Sequence, residues 1–144
     1  MSDEQSRIIE AVRPVAGYRL LVTWEGAEDA TIDLSSAIST RPFLSLADLK
    51  IFQQVELGDW GHSVVWPGDI EIGADSLWLD SLTAWGREDT RAFLEWRLRN
   101  GLSLNGAAEA LGLSRRTIAY YSGGRQVPRS ILLACKGWDA LKAA

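Results

Sequence analysis

The spacing of apolar residues changes near position 86 of this 144-residue chain. Before that point, strand signals dominate. Tyr18-Arg-Leu-Leu-Val-Thr-Trp24 is rich in β-branched and aromatic residues, as a strand requires. Ala30-Thr-Ile-Asp-Leu34 resumes the alternation after a polar loop, Glu25-Gly-Ala-Glu-Asp29. Together with the short apolar run from Ile8, closed by Pro14, these segments predict an antiparallel meander. Leu46, Leu49 and Phe52 recur at helical spacing and predict a helix over 46–52. Gln54–Leu57 and Ser63–Trp66 predict a second strand pair around Gly58–His62. Ile70–Ile72 reads as one more short strand, and a helix is expected to start at Ala74.

After position 86 the period is helical. Glu88-Asp-Thr90 supplies acidic and capping residues before a helix over 91–100, with Phe93, Leu94 and Leu98 as its apolar stripe. Gly101 ends it. Ser103 is placed to cap a second helix whose Ala107, Ala108 and Leu111 share one face. Gly112 sits where the chain must turn left-handed. Ser114 caps a third helix. Its Ile118 and Tyr121 point to the core, while Arg115, Arg116 and Tyr120 lie on the opposite face. Pro128 suits the start of a last helix over 129–137, in which Ile131, Cys135 and Trp138 recur at helical spacing. Leu82–Gly86 is the expected junction, which divides the chain into domains 1–84 and 85–144.

Charge sharpens this division. The chain carries a net −4. Residues 1–86 hold 5 Lys and Arg against 14 Asp and Glu, whereas residues 87–144 hold 10 against 5. The halves thus carry −9 and +5. A basic segment coinciding with two capped helices suits a phosphate-binding surface. The acidic half is not expected to bind nucleic acid itself, and is suited either to repelling DNA or to attracting a basic partner.

Other chemistry has little to stand on. Cys135 is the only cysteine, so no internal disulfide forms, and its apolar setting reads as packing. A single His and a single Cys do not make a structural zinc site. Asp69, Glu71 and Asp75 read as a solvated rim rather than as metal ligands. His62, beside Ser63 and near Asp59, reads as a loop histidine, because triads meet in space rather than in sequence. No phosphate-binding glycine motif is present. No catalytic residue, metal or cofactor is therefore expected. The seven Trp are expected to fill a core, with Trp60 the leading candidate for an exposed contact. The polar N-terminus lacks a signal-peptide layout, and no apolar run spans a bilayer. A cytoplasmic location away from the membrane is expected.

Residues 101–128 resemble the phage-repressor-like, Cro/C1-type helix-turn-helix family. The resemblance rests on Leu102-Ser103, Ala107-Ala108, Leu111-Gly-Leu-Ser114, Thr117-Ile118 and Gly124-Arg125. It implies a lambda-repressor-like all-α domain whose base-reading positions fall on Arg115, Arg116 and Tyr120. The implied phosphate contacts fall on Arg97, Ser114, Thr117 and Arg125. Leu104 stands where that family often has a DNA-contacting Gln. Residues 8–79 resemble the domain-of-unknown-function 2442 family through Val12-Arg-Pro, Gly17–Trp24, Ile32-Asp-Leu34 and Trp60–Pro67. That family comprises small α+β domains found alone, fused to helix-turn-helix domains, or beside candidate toxin genes.

The expected protein is α+β: a small antiparallel-sheet domain with a helix, followed by a helix-turn-helix domain. The expected function is sequence-specific binding of double-stranded DNA by a homodimeric transcriptional regulator. The dimer is expected to form through exposed strand edges of the first domain. An antitoxin-like or adaptor module, using the acidic domain against a protein partner, is the alternative.

Overall fold

The computed structural model describes residues 7–143. They group into two compact units, 7–85 and 86–143.

The first unit contains two three-stranded antiparallel sheets. β1 (Ile9–Val15), β2 (Arg19–Trp24) and β3 (Ala30–Asp33) form the expected meander. Pro14 lies inside β1 rather than after it. An edge strand tolerates this, because one side of its backbone makes no ladder bonds. On β2, Leu20, Val22 and Trp24 face the core and the intervening residues do not, which is the period-two signature of one buried face. β4 (Glu56–Leu57), β5 (Ser63–Trp66) and β6 (Ile70–Gly73) form the second sheet in the order of the chain.

The helix expected over 46–52 is broken. Leu44–Ala47 is a 3-10 turn, Asp48 is extended, and α1 covers only Leu49–Phe52. The cause is Asp48, whose carboxylate accepts the Lys50 N–H at 2.9 Å and so starts a new helix. The break shifts the phase, so that Leu46 and Phe52 are buried while Leu49 faces solvent. α2 (Ala74–Ala84) runs through residues expected to form the junction and buries Leu77, Trp78 and Leu82.

Tryptophan dominates this core. Trp24, Trp66 and Trp78 are buried, and each ring of this size removes about 150–250 Å² from water. Trp24 Nε1 donates to Ser81 Oγ at 2.9 Å, and Trp66 Nε1 to the Phe52 carbonyl at 2.9 Å. Trp78 meets Trp24 and Trp85 edge-on, with centroids 5.1 and 5.3 Å apart.

The second unit is helical: α3 (Glu88–Arg99), α4 (Leu104–Leu111), α5 (Arg115–Ser122) and α6 (Arg129–Ala143). Phe93, Trp96, Leu104, Ala107, Ile118, Val127 and Cys135 form its core. The expected caps are present. Ser103 Oγ accepts the Gly106 N–H at 3.0 Å, and Ser114 Oγ accepts the Thr117 N–H at 3.1 Å. Gly112 turns the chain at φ 68°, a conformation that costs glycine little.

Three details of this unit differ from expectation. The stripe of α3 continues through Arg97, not Leu98, which is 54% exposed. Thr90, Phe93, Leu94 and Arg97 follow the helical rows at i, i+3, i+4 and i+7, and all are buried. Thr90 is a first-turn core residue, not a cap; its Oγ1 accepts from Arg87 Nη2 at 2.8 Å. α6 does not stop at Gly137 but continues to Ala143.

Candidate functional site

The exposed face of α5 gathers most of the residues singled out from the sequence. The two helix faces explain why. Ile118 is fully buried and Ser122 nearly so, which fixes the rotation of α5 and turns Arg115, Arg116 and Tyr120 outward. Arg116 Nε donates to Tyr120 Oη at 2.7 Å, as positions four apart on a helix allow. The Arg125 guanidinium lies 4.4 Å from the Tyr120 ring centre, and that of Arg116 lies 5.5 Å from it. Tyr120 itself is 39% exposed. One phenol ring therefore holds two arginines together. An arginine stacked on a ring keeps its in-plane N–H groups available for phosphate or base edges.

The start of α5 adds a second feature. Ser114 Oγ and Thr117 Oγ1 lie 2.9 Å apart at the helix N-terminus, where aligned peptide dipoles favour negative charge. From Gly112 to Ser130 the sequence contains Arg115, Arg116, Arg125 and Arg129 and no Asp or Glu. Three of the unit's five carboxylates pair elsewhere: Asp89 with Arg87 at 3.3 Å, Glu95 with Arg91 at 2.6 Å, and Asp139 with Arg99 at 2.8 Å.

Arg97 is a correction. Expected as an exposed phosphate ligand, it is only 2% exposed. Its Nη1 donates to Ser122 Oγ at 2.6 Å and its Nε to the Leu102 carbonyl at 3.1 Å. Burial pulls its pKa below the ordinary guanidinium value. Arg97 thus ties α3 to the lead-in of α4 and to the last residue of α5. It can position the exposed face but cannot touch a ligand there. Leu104, where the resemblance to the Cro/C1-type family placed a DNA-contacting Gln, is likewise buried.

Sequence reasoning missed Asp89 and Arg129. Asp89 Oδ2 accepts the Val127 N–H at 2.7 Å, and Val127 is buried two residues after Arg125. Burial raises the Asp89 pKa, but the bonds from Val127 and Arg87 outweigh it and hold the pKa below the ordinary carboxylate value. This bond anchors the loop that carries Arg125. The available signal was the acidic residue in the first turn of α3, which reads only as a dipole partner until the loop is placed. Arg129 is exposed at the first position of α6.

Elsewhere, His62 is exposed, but Ser63 Oγ donates to Glu71 Oε2 at 2.7 Å rather than turning to the imidazole. Burial pushes the Cys135 thiol up to about 11, which suits a packing residue. Among the described residues, no group of His, Cys, Asp and Glu is arranged to hold a metal, and no helix is long and apolar enough to cross a membrane.

Comparison with known proteins covers both units. Residues 9–81 match the family model described as protein of unknown function DUF2442. The whole chain is similar to a protein of known crystal structure, the putative DNA binding protein NE0471 from Nitrosomonas europaea ATCC 19718. The two are 34% identical with a TM-score of 0.74, covering 99% of this chain and 92% of the other. Among curated proteins, none matches. With more than half its length on the family model, the chain belongs to the DUF2442 family.

Proposed function

We propose that the chain binds double-stranded DNA sequence-specifically and acts as a transcriptional regulator. The observation that carries this reading is the Arg116–Tyr120–Arg125 cluster on the outer face of a helix whose inner face is locked into the core. In this reading α4 and α5 are a Cro/C1-type helix-turn-helix and α5 enters the major groove. Arg115 and Arg116 read base edges, where arginine donates two bonds to guanine. Tyr120 meets a base edge or a phosphate. Arg125, Ser114 and Thr117 hold the backbone. The 34% identical relative over nearly the whole chain, described as a putative DNA binding protein, supports the same class of ligand. A homodimer in the cytoplasm, spanning two half-sites about one helical turn apart, completes the proposal.

The test is a selection of bound fragments from random duplex DNA, followed by salt titration of affinity on the selected and scrambled sequences. A specific site with a steep salt dependence is expected. Absence of salt-dependent binding to any duplex would falsify the reading and leave α4 and α5 as a protein-contact scaffold.

A further inference from the structure

The loop between β4 and β5 holds an arrangement that DNA binding does not use. Trp60 is 87% exposed. Its backbone lies at φ 61° and ψ 15°, a left-handed conformation unfavourable for a bulky side chain. The frame around it is closely built. A Cβ on Gly61 would collide with the Ile9 carbonyl oxygen, and one on Gly58 would collide with Ser63 Oγ. The Gly58 N–H donates to the Ser63 carbonyl at 2.8 Å, and the His62 N–H to the Asp59 carbonyl at 3.1 Å. A large apolar ring is thus held in water by a turn that would be easier to form without it.

The surroundings say what would cover the ring. A cleft of ≈350 Å³ is lined by Asp59, Trp60, His62, Ser63, Glu71 and Gly73. The bond from Ser63 to Glu71 fixes one of its carboxylates. Over residues 51–86 the sequence has Glu56, Asp59, Asp69, Glu71, Asp75 and Asp80 and no Lys or Arg. Other rings in this chain carry cations. Arg7 lies 4.0 Å from a Trp78 ring centre, Arg125 4.4 Å from Tyr120, and Lys142 5.3 Å from Trp138. Among the described residues, none lies over Trp60.

We propose that the Trp60 cleft docks a basic segment of a partner protein, with an Arg or Lys side chain on the indole face and the carboxylates of Asp59 and Glu71 beside it. Tryptophan gives the strongest cation–π attraction of the aromatic residues. The carboxylates add charge-assisted hydrogen bonds. The same charges repel phosphate, so nucleic acid is not the occupant. The site is independent of the α5 face, and each reading can fail without the other.

The test titrates the full 144-residue chain with a short oligo-arginine peptide by calorimetry, with an oligo-glutamate peptide as control. Oligo-arginine is expected to bind with an affinity that falls with salt, and oligo-glutamate is expected not to bind. Trp60→Gly should weaken oligo-arginine binding roughly tenfold, the scale of a well-formed cation–π contact. It should fold normally, because glycine accepts a positive φ without strain. Trp60→Asn, which also tolerates that region, is the second variant. The Asp59→Asn/Glu71→Gln pair should weaken binding and flatten its salt dependence. Equal binding by wild type and by both folded Trp60 variants would overturn the proposal, assigning the attraction to diffuse negative charge. Failure of oligo-arginine to bind at all would also overturn it.

Discussion

Each unit sends one residue type both into its core and out to its surface. The acidic sheet unit packs Trp24, Trp66 and Trp78 inside and leaves Trp60 out. The basic helical unit buries Arg97 and gathers Arg116 and Arg125 on an exposed ring. Residue type therefore says little about role here; position in the local period says more. Arg97 falls on the buried row of α3, whereas Arg116 falls opposite the buried Ile118 of α5. The same guanidinium is an internal tie in one place and a surface donor in the other.

The largest effect should come from breaking the internal tie. Arg97→Ala leaves Ser122 Oγ and the Leu102 carbonyl without this donor and opens a cavity among α3, α4 and α5. A loss of about 2–4 kcal/mol is expected, from two acceptors losing this donor and the cavity left by a large buried side chain. Denaturant unfolding followed by helical circular dichroism would read it. A near-neutral result would mean that Arg97 swings out to solvent and is a surface arginine after all. Arg116→Ala should do the reverse. Stability should hold within about 0.5 kcal/mol, as for an ordinary surface substitution. Affinity for a selected duplex should fall by about 1–3 kcal/mol with relaxed base preference at one position.

The contrast also marks what the sequence could convey. The capped pair α4 and α5, the left-handed Gly112 and the β1-β2-β3 meander were legible because each depends on neighbours along the chain. The break at Asp48 was not, because the cap competes with a helical period that looks continuous. Arg97 was misread for a physical reason. A charged residue on a helix is ordinarily solvated, and only the i, i+3, i+4, i+7 row from Thr90 argued otherwise. The exposed face that carries the candidate site was legible where it lies on one helix, in Arg115, Arg116 and Tyr120. The closure of Arg125 onto Tyr120 required the loop after α5 to fold back, and the anchor for that loop is thirty-eight residues away at Asp89.

That anchor gives an intermediate effect with a pH signature. Asp89→Asn should cost about 1–2 kcal/mol, because the Val127 N–H loses a charged acceptor. The Asp89 pKa is held below the ordinary carboxylate value of 3.8. Its contribution to stability is therefore fully present above that value and is lost as the pH falls through the lower folded pKa. Wild-type and Asp89→Asn unfolding free energies should converge on acidification below about pH 4. A constant gap between them down to the acid transition would assign the loss to packing rather than to the carboxylate.

The smallest expected effect tests whether the exposed cluster acts as a unit. Arg125 stacks on Tyr120 but sits on the loop, and the proposed function gives it the DNA backbone rather than bases. Arg125→Ala should weaken specific and scrambled duplexes alike, by under about 1 kcal/mol, and reduce the salt slope by about one. Arg125→Lys keeps the charge but replaces the planar group that stacks on the ring. If Lys restores both slope and affinity, the residue acts as a point charge. If it restores the slope but relaxes base preference at the Arg116 position, stacking of Arg125 orients Tyr120, and Tyr120 in turn orients Arg116 through the 2.7 Å bond. Measuring base preference in Arg125→Lys and in Tyr120→Phe separates the two. Tyr120→Phe keeps the ring beneath Arg125 but removes the acceptor for Arg116, so it should relax preference with the salt slope unchanged. If it leaves preference intact, the bond to Tyr120 has no part in aiming Arg116.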